Sequence, residues 1–510
     1  MRTTRRVIIL AAGAISLSVA AAAGAAAVTR AGAVAPAAQG VTAGVRPPGA
    51  GDASATAAAR PAGSWGRAIA VPGLGALNKG GNAPVSEVSC ASAGNCAAGG
   101  SYRDRHHHYQ GFVASERHGR WAKAIEVPGL GALNVGGDAE VTSVSCGSAG
   151  NCAVGGFLSL GVPGHEEITG LFVVNERRGR WGKAVPLGPQ TGEEVGDFNS
   201  VSCTSAGNCL AGGDAADCYC TNSHAFVVQE RAGRWRSFRA VPGLWALGHI
   251  DSWINSVACP SAGNCAVGGG YQDDNGNQNG FVAGEGNGVW GRAIEVPGLA
   301  TLNTGANADV SSVSCGSAGN CAAGGYYTDG DGHFHGYVAA EQDGVWGKAI
   351  QVPGLAALNK GENAGVGSVS CGSAGSCVAG GAYADRSHRL HGFVAVERNG
   401  RWGTAIQVPG LAAPSKRGDA FVTSVSCASA GNCAAGGYYT DRSGHHQGFV
   451  VVQRNGRWGT AIPVPGLSAL KAGGSAEVGS LSCPSPGHCT AGGSFRGRSG
   501  PRHGFVTQAG

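Results

Sequence analysis

Charge is scarce in this sequence. Only 14% of its 510 residues are Asp, Glu, Lys or Arg. Four of the 37 basic residues (Arg2, Arg5, Arg6 and Arg30) precede residue 33, which leaves 33 against 32 acidic ones in the rest of the chain. A near-neutral chain has no long-range pull on phosphate backbones or anionic membranes, which argues against nucleic acid as the partner. Long apolar runs are lacking beyond residue 28. The 43% of hydrophobic residues come in short stretches, a pattern that suits many short strands and argues against long helices. No catalytic motif stands out either.

The exception to short apolar runs is the N-terminus. Arg2, Arg5 and Arg6 form a basic start, Val7 to Val28 carries no charge, and Ala31-Gly-Ala33 offers a small-residue cleavage site. Residues 1–33 therefore read as a signal peptide, with a retained membrane anchor as the alternative and a faint twin-arginine character at Arg5-Arg6. Residues 34–63 are Ala, Gly, Pro and Thr with almost no bulky apolar side chain, and read as a disordered linker. A secreted, monomeric protein with no membrane span after cleavage is expected.

What the chain has in abundance is repetition. Cys-x5-Cys occurs eight times, at Cys90/Cys96, Cys146/Cys152, Cys203/Cys209, Cys259/Cys265, Cys315/Cys321, Cys371/Cys377, Cys427/Cys433 and Cys483/Cys489, at steps of 56 or 57 residues. Gly-Gly follows each second cysteine, and each unit has a tryptophan: Trp65, Trp121, Trp181, Trp235, Trp290, Trp346, Trp402 and Trp458. The unit around residues 422–464 divides into four strands: A (422–427), B (433–439), C (448–453) and D (458–464). A tight Ala-Ser-Ala-Gly-Asn turn joins A to B, and Asn455-Gly456 joins C to D. Four antiparallel strands repeated eight times predict an all-β, eight-bladed β-propeller over residues 64–510. The last unit stops after strand C, whereas the first begins with an unpartnered strand D, Trp65–Val71. The N-terminal strand is therefore expected to complete the last blade, so that no edge is left open. Gly-Gly inside a strand points to close backbone approach where blades meet.

In an exported chain, paired and regularly spaced cysteines read as disulfides, and two ligands per unit fall short of the four that zinc usually takes. Cys218 and Cys220 break the pattern. With the others paired locally, they are expected to bond to each other, with a Cys218/Cys220/His224 metal cluster as the alternative.

Cys433 to Gly437, Phe449 to Gln453 and Trp458 follow the order of a Kelch-type propeller repeat, as in the galactose-oxidase type of ring, and the unit resembles it. The Cys-x5-Cys bridge and the count of eight depart from the Kelch pattern. Galactose oxidase's copper ligands and Cys–Tyr cofactor have no counterpart here, so its activity does not carry over. Val425 to Cys433, Val-Ser-Cys-Ala-Ser-Ala-Gly-Asn-Cys, is similar to units of secreted actinobacterial repeat proteins, which implies export and a propeller-like fold but no activity. Arg398-Asn-Gly-Arg-Trp402 lacks the Ser-x-Asp and the spacing of a sialidase Asp-box.

By strand parity the varied B–C loops share one face with the D–A links, and loops carry function more often than scaffolds do. Many B–C loops are rich in His and Asp, such as Arg103–His108, Asp329–His335 and Asp441–His446. They read as solvated hairpin tips, with metal binding as the sharper alternative. Asp273–Asn277 and Asp329–Asp331 faintly resemble calcium loops but lack the closing bidentate Glu. No cofactor is expected apart from such a calcium or other divalent ion. Uniformity breaks between residues 157 and 253. There His165, Glu166, Glu167, Glu193, Glu194, Asp197, Trp245, His249, Asp251 and Trp253 all fall on that face, a set suited to stacking and hydrogen bonding a sugar. The expected function is a non-catalytic extracellular binding or scaffold ring for a glycan or cell-surface partner. The alternative is a secreted carbohydrate-active enzyme, a glycoside hydrolase or lyase, using paired carboxylates on the same face.

Overall fold

A computed structural model describes residues 64–161, 169–187, 195–216, 222–411 and 418–510, with Val195 described by its backbone alone. The signal peptide, the linker, Cys218, Cys220, His165, Glu166, Glu167, Glu193 and Glu194 lie outside these residues.

The alternating pattern gives eight antiparallel sheets, one per repeat. Blade 7 has strand A at Ala420–Ser429, B at Asn432–Thr440 and C at His446–Arg454. Its strand D is not the continuous element expected from Trp458 to Val464. It forms two short pieces, Arg457–Trp458 and Ile462–Pro463, both paired with strand C. The gap has a cause. Between the pieces the Ala461 N–H donates to the Pro409 carbonyl of the preceding blade (2.8 Å), which draws the backbone away from its own sheet. The same bond recurs at Ala68, Ala124, Ala184, Ala293, Ala349 and Ala405. The repeated Val-Pro-Gly-Leu thus ties the outer rim of one blade to the next, while its glycine takes a positive φ (77° at Gly466) and its leucine is buried.

Blade 8 consists of A at Ser475–Ser485, B at His488–Arg496 and C at Arg502–Ala509. Its fourth strand is N-terminal: Ile69 pairs with Val506 and Ala70 with Phe505, and Trp65 bridges to Ala509. The ring is closed as the truncated last unit implied.

Around the channel the strands A are laced together by a Ser-x-Ser in six of the repeats, with Glu87-x-Ser89 in its place in blade 1 and Ser256-x-Ala258 in blade 4. Ser424 and Ser426 hydroxyls accept from the Leu481 and Cys483 amides (3.1 and 2.9 Å), and Ser480 and Ser482 accept from Val88 and Cys90 (3.2 and 2.9 Å), which joins blade 8 to blade 1. The core lies between blades. Phe449, Val422 and Val425 pack with Val394, Val378 and Leu411 of the preceding blade.

Each Cys-x5-Cys forms a disulfide across its A–B hairpin, with Cα atoms 3.9–4.1 Å apart: Cys90–Cys96, Cys146–Cys152, Cys203–Cys209, Cys259–Cys265, Cys315–Cys321, Cys371–Cys377, Cys427–Cys433 and Cys483–Cys489. These cysteines belong to the scaffold and not to a functional surface. The partner on strand B is buried in every pair: Cys96, Cys152, Cys209, Cys265, Cys321, Cys377, Cys433 and Cys489. The reason is positional. Strand B is an inner strand of its sheet, and its cysteine side chain lies in the packing between blades, where Cys265, Cys321, Cys377 and Cys489 each join a hydrophobic cluster. Cys96 touches the Thr490 hydroxyl of blade 8 at 3.4 Å. All eight bridges sit at the A–B turns, on the face away from the B–C loops, so none of them contributes to the mouth described below. Among the described residues no helix is long and apolar enough to cross a membrane.

Candidate functional site at the channel mouth

Strand A begins on the face that carries the B–C loops, just before a β-bulge, and its residues there follow a fixed template. Small residue, variable residue and apolar residue precede the bulge, as in Ala308-Asp309-Val310. The variable position reads Pro84, Glu140, Asp197, Trp253, Asp309, Gly365, Phe421 and Glu477 around the ring. A symmetric scaffold therefore carries an asymmetric collar at the mouth of its channel, in two chemically distinct sectors.

Blades 3 to 5 form the acidic sector. Asp197 lies opposite Asp214 across the A–B pair. The Ser223 hydroxyl donates to Asp214 (3.2 Å), and its amide donates to Asp251 (2.9 Å). Burial, with the nearby Asp197 and Asp251 charges, pushes Asp214 up to about 7. In blade 4, Trp253 does not lie open as a sugar platform would. Its indole Nε1–H donates to Asp309 (3.1 Å), and Asn255 donates to the other Asp309 oxygen (2.9 Å). Burial pushes Asp309 up to about 7 against these two bonds. Both its oxygens are used in clamping blade 4 to blade 5. Trp245, by contrast, is 60% exposed, with His249 at 4.7 Å edge-on and His224 at 5.7 Å. His249 contacts Asp274 at 2.7 Å. Of the residues singled out in the sequence, the structure thus places Asp197, Asp251, Trp245, His249 and Trp253 on one face across adjacent blades.

Blades 7 and 8 form the second sector, which the sequence reading passed over. Phe421 stacks on Tyr438 (5.2 Å), and Tyr438 stacks on His446 (4.4 Å, 19° between planes). His446 Nδ1 lies 2.6 Å from the Glu477 carboxylate of the next blade. Arg502 approaches the other Glu477 oxygen at 3.7 Å and donates through Nε to Ser494 (2.8 Å). Burial pushes Glu477 up, but the His446 hydrogen bond and Arg502 outweigh it and hold the carboxyl below its ordinary range. Among the described residues neither His446 Nε2 nor the Tyr438 hydroxyl has a hydrogen-bond partner, and both residues are partly exposed. The signal that would have found this set is the variable position itself, where Phe421 and Glu477 break the template.

The His- and Asp-rich loops have a structural use. In five of them an aspartate caps its own hairpin. Asp329 accepts from the Asp331 and His333 amides (3.0 Å each), and Asp273, Asp385, Asp441 and Asp104 do the same at their i+2 and i+4 positions. The second oxygen often holds a side chain on strand C, as Asp329 holds His335 (2.8 Å) and Asp385 holds His391 (2.9 Å). Burial raises the Asp329 carboxyl, but these bonds outweigh it and hold the group at about 2. Asp329, Asp331 and His333 bring ligand atoms within 4.8 Å of one another, which is metal-like spacing on an exposed tip.

Charge on this face is polarised. The described B–C loops of blades 3 to 5, and the described D–A links leading into them, contain no Lys or Arg, while blades 6 to 8 present Arg386, Arg389, Arg442, Arg496, Arg498 and Arg502. On the opposite face a shallow cleft between blades 2 and 3 is lined by Asn151, Asn175, Glu176, Arg177 and Glu230.

The chain matches no protein-family model and no curated protein sequence. Among solved structures it is similar to Sqt1 from Chaetomium thermophilum (11% identity, covering 84% of this chain and 97% of that one, TM-score 0.45). It is also similar to a protein of unknown function from Dyadobacter fermentans (12%, 72% and 94%, TM-score 0.37) and to a GH93 α-L-arabinofuranosidase of Fusarium graminearum (11%, 69% and 89%, TM-score 0.33). Likeness at this level says nothing about activity, and the propeller rests on the strand pairing of the chain itself.

Proposed function

We propose that this protein is an exported, monomeric binding ring that takes a glycan at the channel mouth. The observation that carries the reading is the collar. The rest of strand A repeats a template, while the mouth position alternates carboxylates, aromatic rings and small residues. Aromatic faces beside fixed carboxylates and an arginine are what sugar hydroxyls and ring C–H groups require. The exposed Trp245 extends the same surface outward. The eight disulfides fit an oxidising compartment, in agreement with a signal peptide at residues 1–33. We also read the blade as Kelch-like from Gly436-Gly437 and Trp458, within the secreted repeat type to which the Val425–Cys433 motif points. Cys218 and Cys220 complete the cysteine pairing in this reading, and the Asp329 loop is the place where a divalent ion would bind.

A glycan array probed with the purified protein tests the proposal. Specific signals should appear, and Trp245→Ala and Tyr438→Ala should each weaken them at least tenfold, while Arg177→Ala in the opposite-face cleft should leave them unchanged. An array without signal, or signals lost only with Arg177→Ala, would reject it. The second reading, a carbohydrate-active enzyme, is favoured by one observation: an imidazole held by a carboxylate and open on its other nitrogen, at His446 and Glu477.

A further inference from the structure

The two sectors of the mouth are unequal in what they can do. The acidic sector spends Asp309 on Trp253 and Asn255, and Asp214 on Ser223. The blade 7–8 sector keeps its reactive atoms free. Glu477 holds the Nδ1 side of His446 at 2.6 Å, which leaves Nε2 on the side away from the carboxylate and without a hydrogen-bond partner among the described residues. Tyr438 lies flat against the imidazole with its hydroxyl unpartnered among the described residues. Arg502 and Arg496 are directly opposed at the ends of strands C and B of blade 8, and Arg496 is exposed. A base, a hydroxyl acid and a cationic clamp thus converge within one corner of the mouth.

Resting on the glycan reading above, we propose that this corner binds a uronate-containing polysaccharide and cleaves it by β-elimination. The chemistry selects the substrate. A sugar C–H is acidic enough for an imidazole only when it lies α to a carboxylate whose charge is neutralised, and Arg502 with Arg496 supplies that neutralisation. In the step, His446 Nε2 takes the proton from C5. The C5–H electron pair becomes the C4=C5 double bond, and the C4–O bond breaks with its pair leaving on oxygen. That oxygen takes the Tyr438 hydroxyl proton. His446 then releases its proton to water, Tyr438 regains one, and no water or oxidant is consumed. His446 and Tyr438 are the catalytic residues and Glu477 is a positioning residue that fixes the tautomer. The arginines of blades 6 to 8, facing a sector whose described loops carry no Lys or Arg, draw a polyanion to this side.

The test uses the purified protein with polygalacturonate, alginate and hyaluronan, with dextran as the neutral control. The ultraviolet absorbance of the conjugated unsaturated uronate is followed, and binding is measured in parallel. At least one polyuronate should gain absorbance. His446→Gln and Tyr438→Phe, both close in shape to the originals, should slow the gain by about 100-fold or more while binding stays within a few-fold. Glu477→Gln should lower kcat more than it raises KM and shift the pH profile of kcat, which a purely structural role would not do. Arg496→Ala should weaken binding. Polyuronate bound with no absorbance gain, or cleaved to reducing ends without it, overturns the elimination and leaves the binding ring standing. Binding of neutral glycans alone overturns the uronate class. Failure to bind any glycan rejects both proposals together.

Discussion

Near the end of strand C a buried Glu recurs at positions 116, 176, 230, 285, 341 and 397, and the residue contributed by the preceding blade decides its surroundings. Ser115 donates to Glu176 (2.7 Å) and accepts from the Trp181 indole (2.9 Å), and Asn175 serves Glu230 and Trp235 in the same way. Ala340 has no polar side-chain atom to offer, and Glu397 Oε1 and the Trp402 indole are left without partners among the described residues. Ala340→Ser should therefore raise stability by about 1 kcal/mol in chemical denaturation, and a loss would show that the serine cannot reach both groups. Burial pushes Glu116 and Glu397 up to about 7 from 4.5. A carboxyl whose pKa is higher folded than unfolded favours folding fully below about 4.5, and that contribution fades as pH rises through 7. The Tm should be higher at pH 5 than at pH 8, and Glu116→Gln with Glu397→Gln should narrow the gap. An equal gap in the double variant would place the effect elsewhere. None of these environments is visible in one repeat, because each is built from two blades.

At the scale of the element, the Gly-Gly pair shows how packing dictates sequence. A Cβ on Gly436 would lie 2.9 Å from Leu481 Cδ1 and 3.0 Å from Val478 Cγ1 of the next blade, whereas one on Gly437 would lie 1.9 Å from the Phe421 carbonyl oxygen of its own sheet. Side chains can yield and a paired backbone cannot. Gly436→Ala should cost about 1–3 kcal/mol, and Gly437→Ala should cost more or prevent folding. Equal losses in thermal melts would contradict this distinction. The strands, the tight turns, the bridge across each turn and this crowding were legible because period-two alternation, turn residues, cysteine spacing and strand glycines each leave a local mark. The split of strand D was not. It depends on a hydrogen bond from Ala461 to Pro409, across 52 positions, that no local pattern records.

At the scale of the whole molecule, closure completes blade 8, which holds Glu477 and Arg502, and carries the collar round from there to Pro84 of blade 1. Closure was legible from arithmetic on the repeats: a last unit without strand D and a first strand without a sheet. The candidate site left only part of its pattern in the sequence. Breaks in uniformity led to Trp245, His249 and Asp251. The His446–Glu477–Arg502 corner stayed hidden, because its residues come from three different strands and each sits in a repeat that otherwise looks ordinary. Closure of the ring depends on the N-terminal strand lying in the last blade, where Ile69 faces Val506. Replacing both by cysteine, as Ile69→Cys with Val506→Cys, and mapping disulfides by mass spectrometry of the proteolysed protein tests this directly. The closed ring predicts a peptide linking positions 69 and 506 with the eight native pairs intact. Recovery of both new cysteines as free thiols in the folded protein would contradict it.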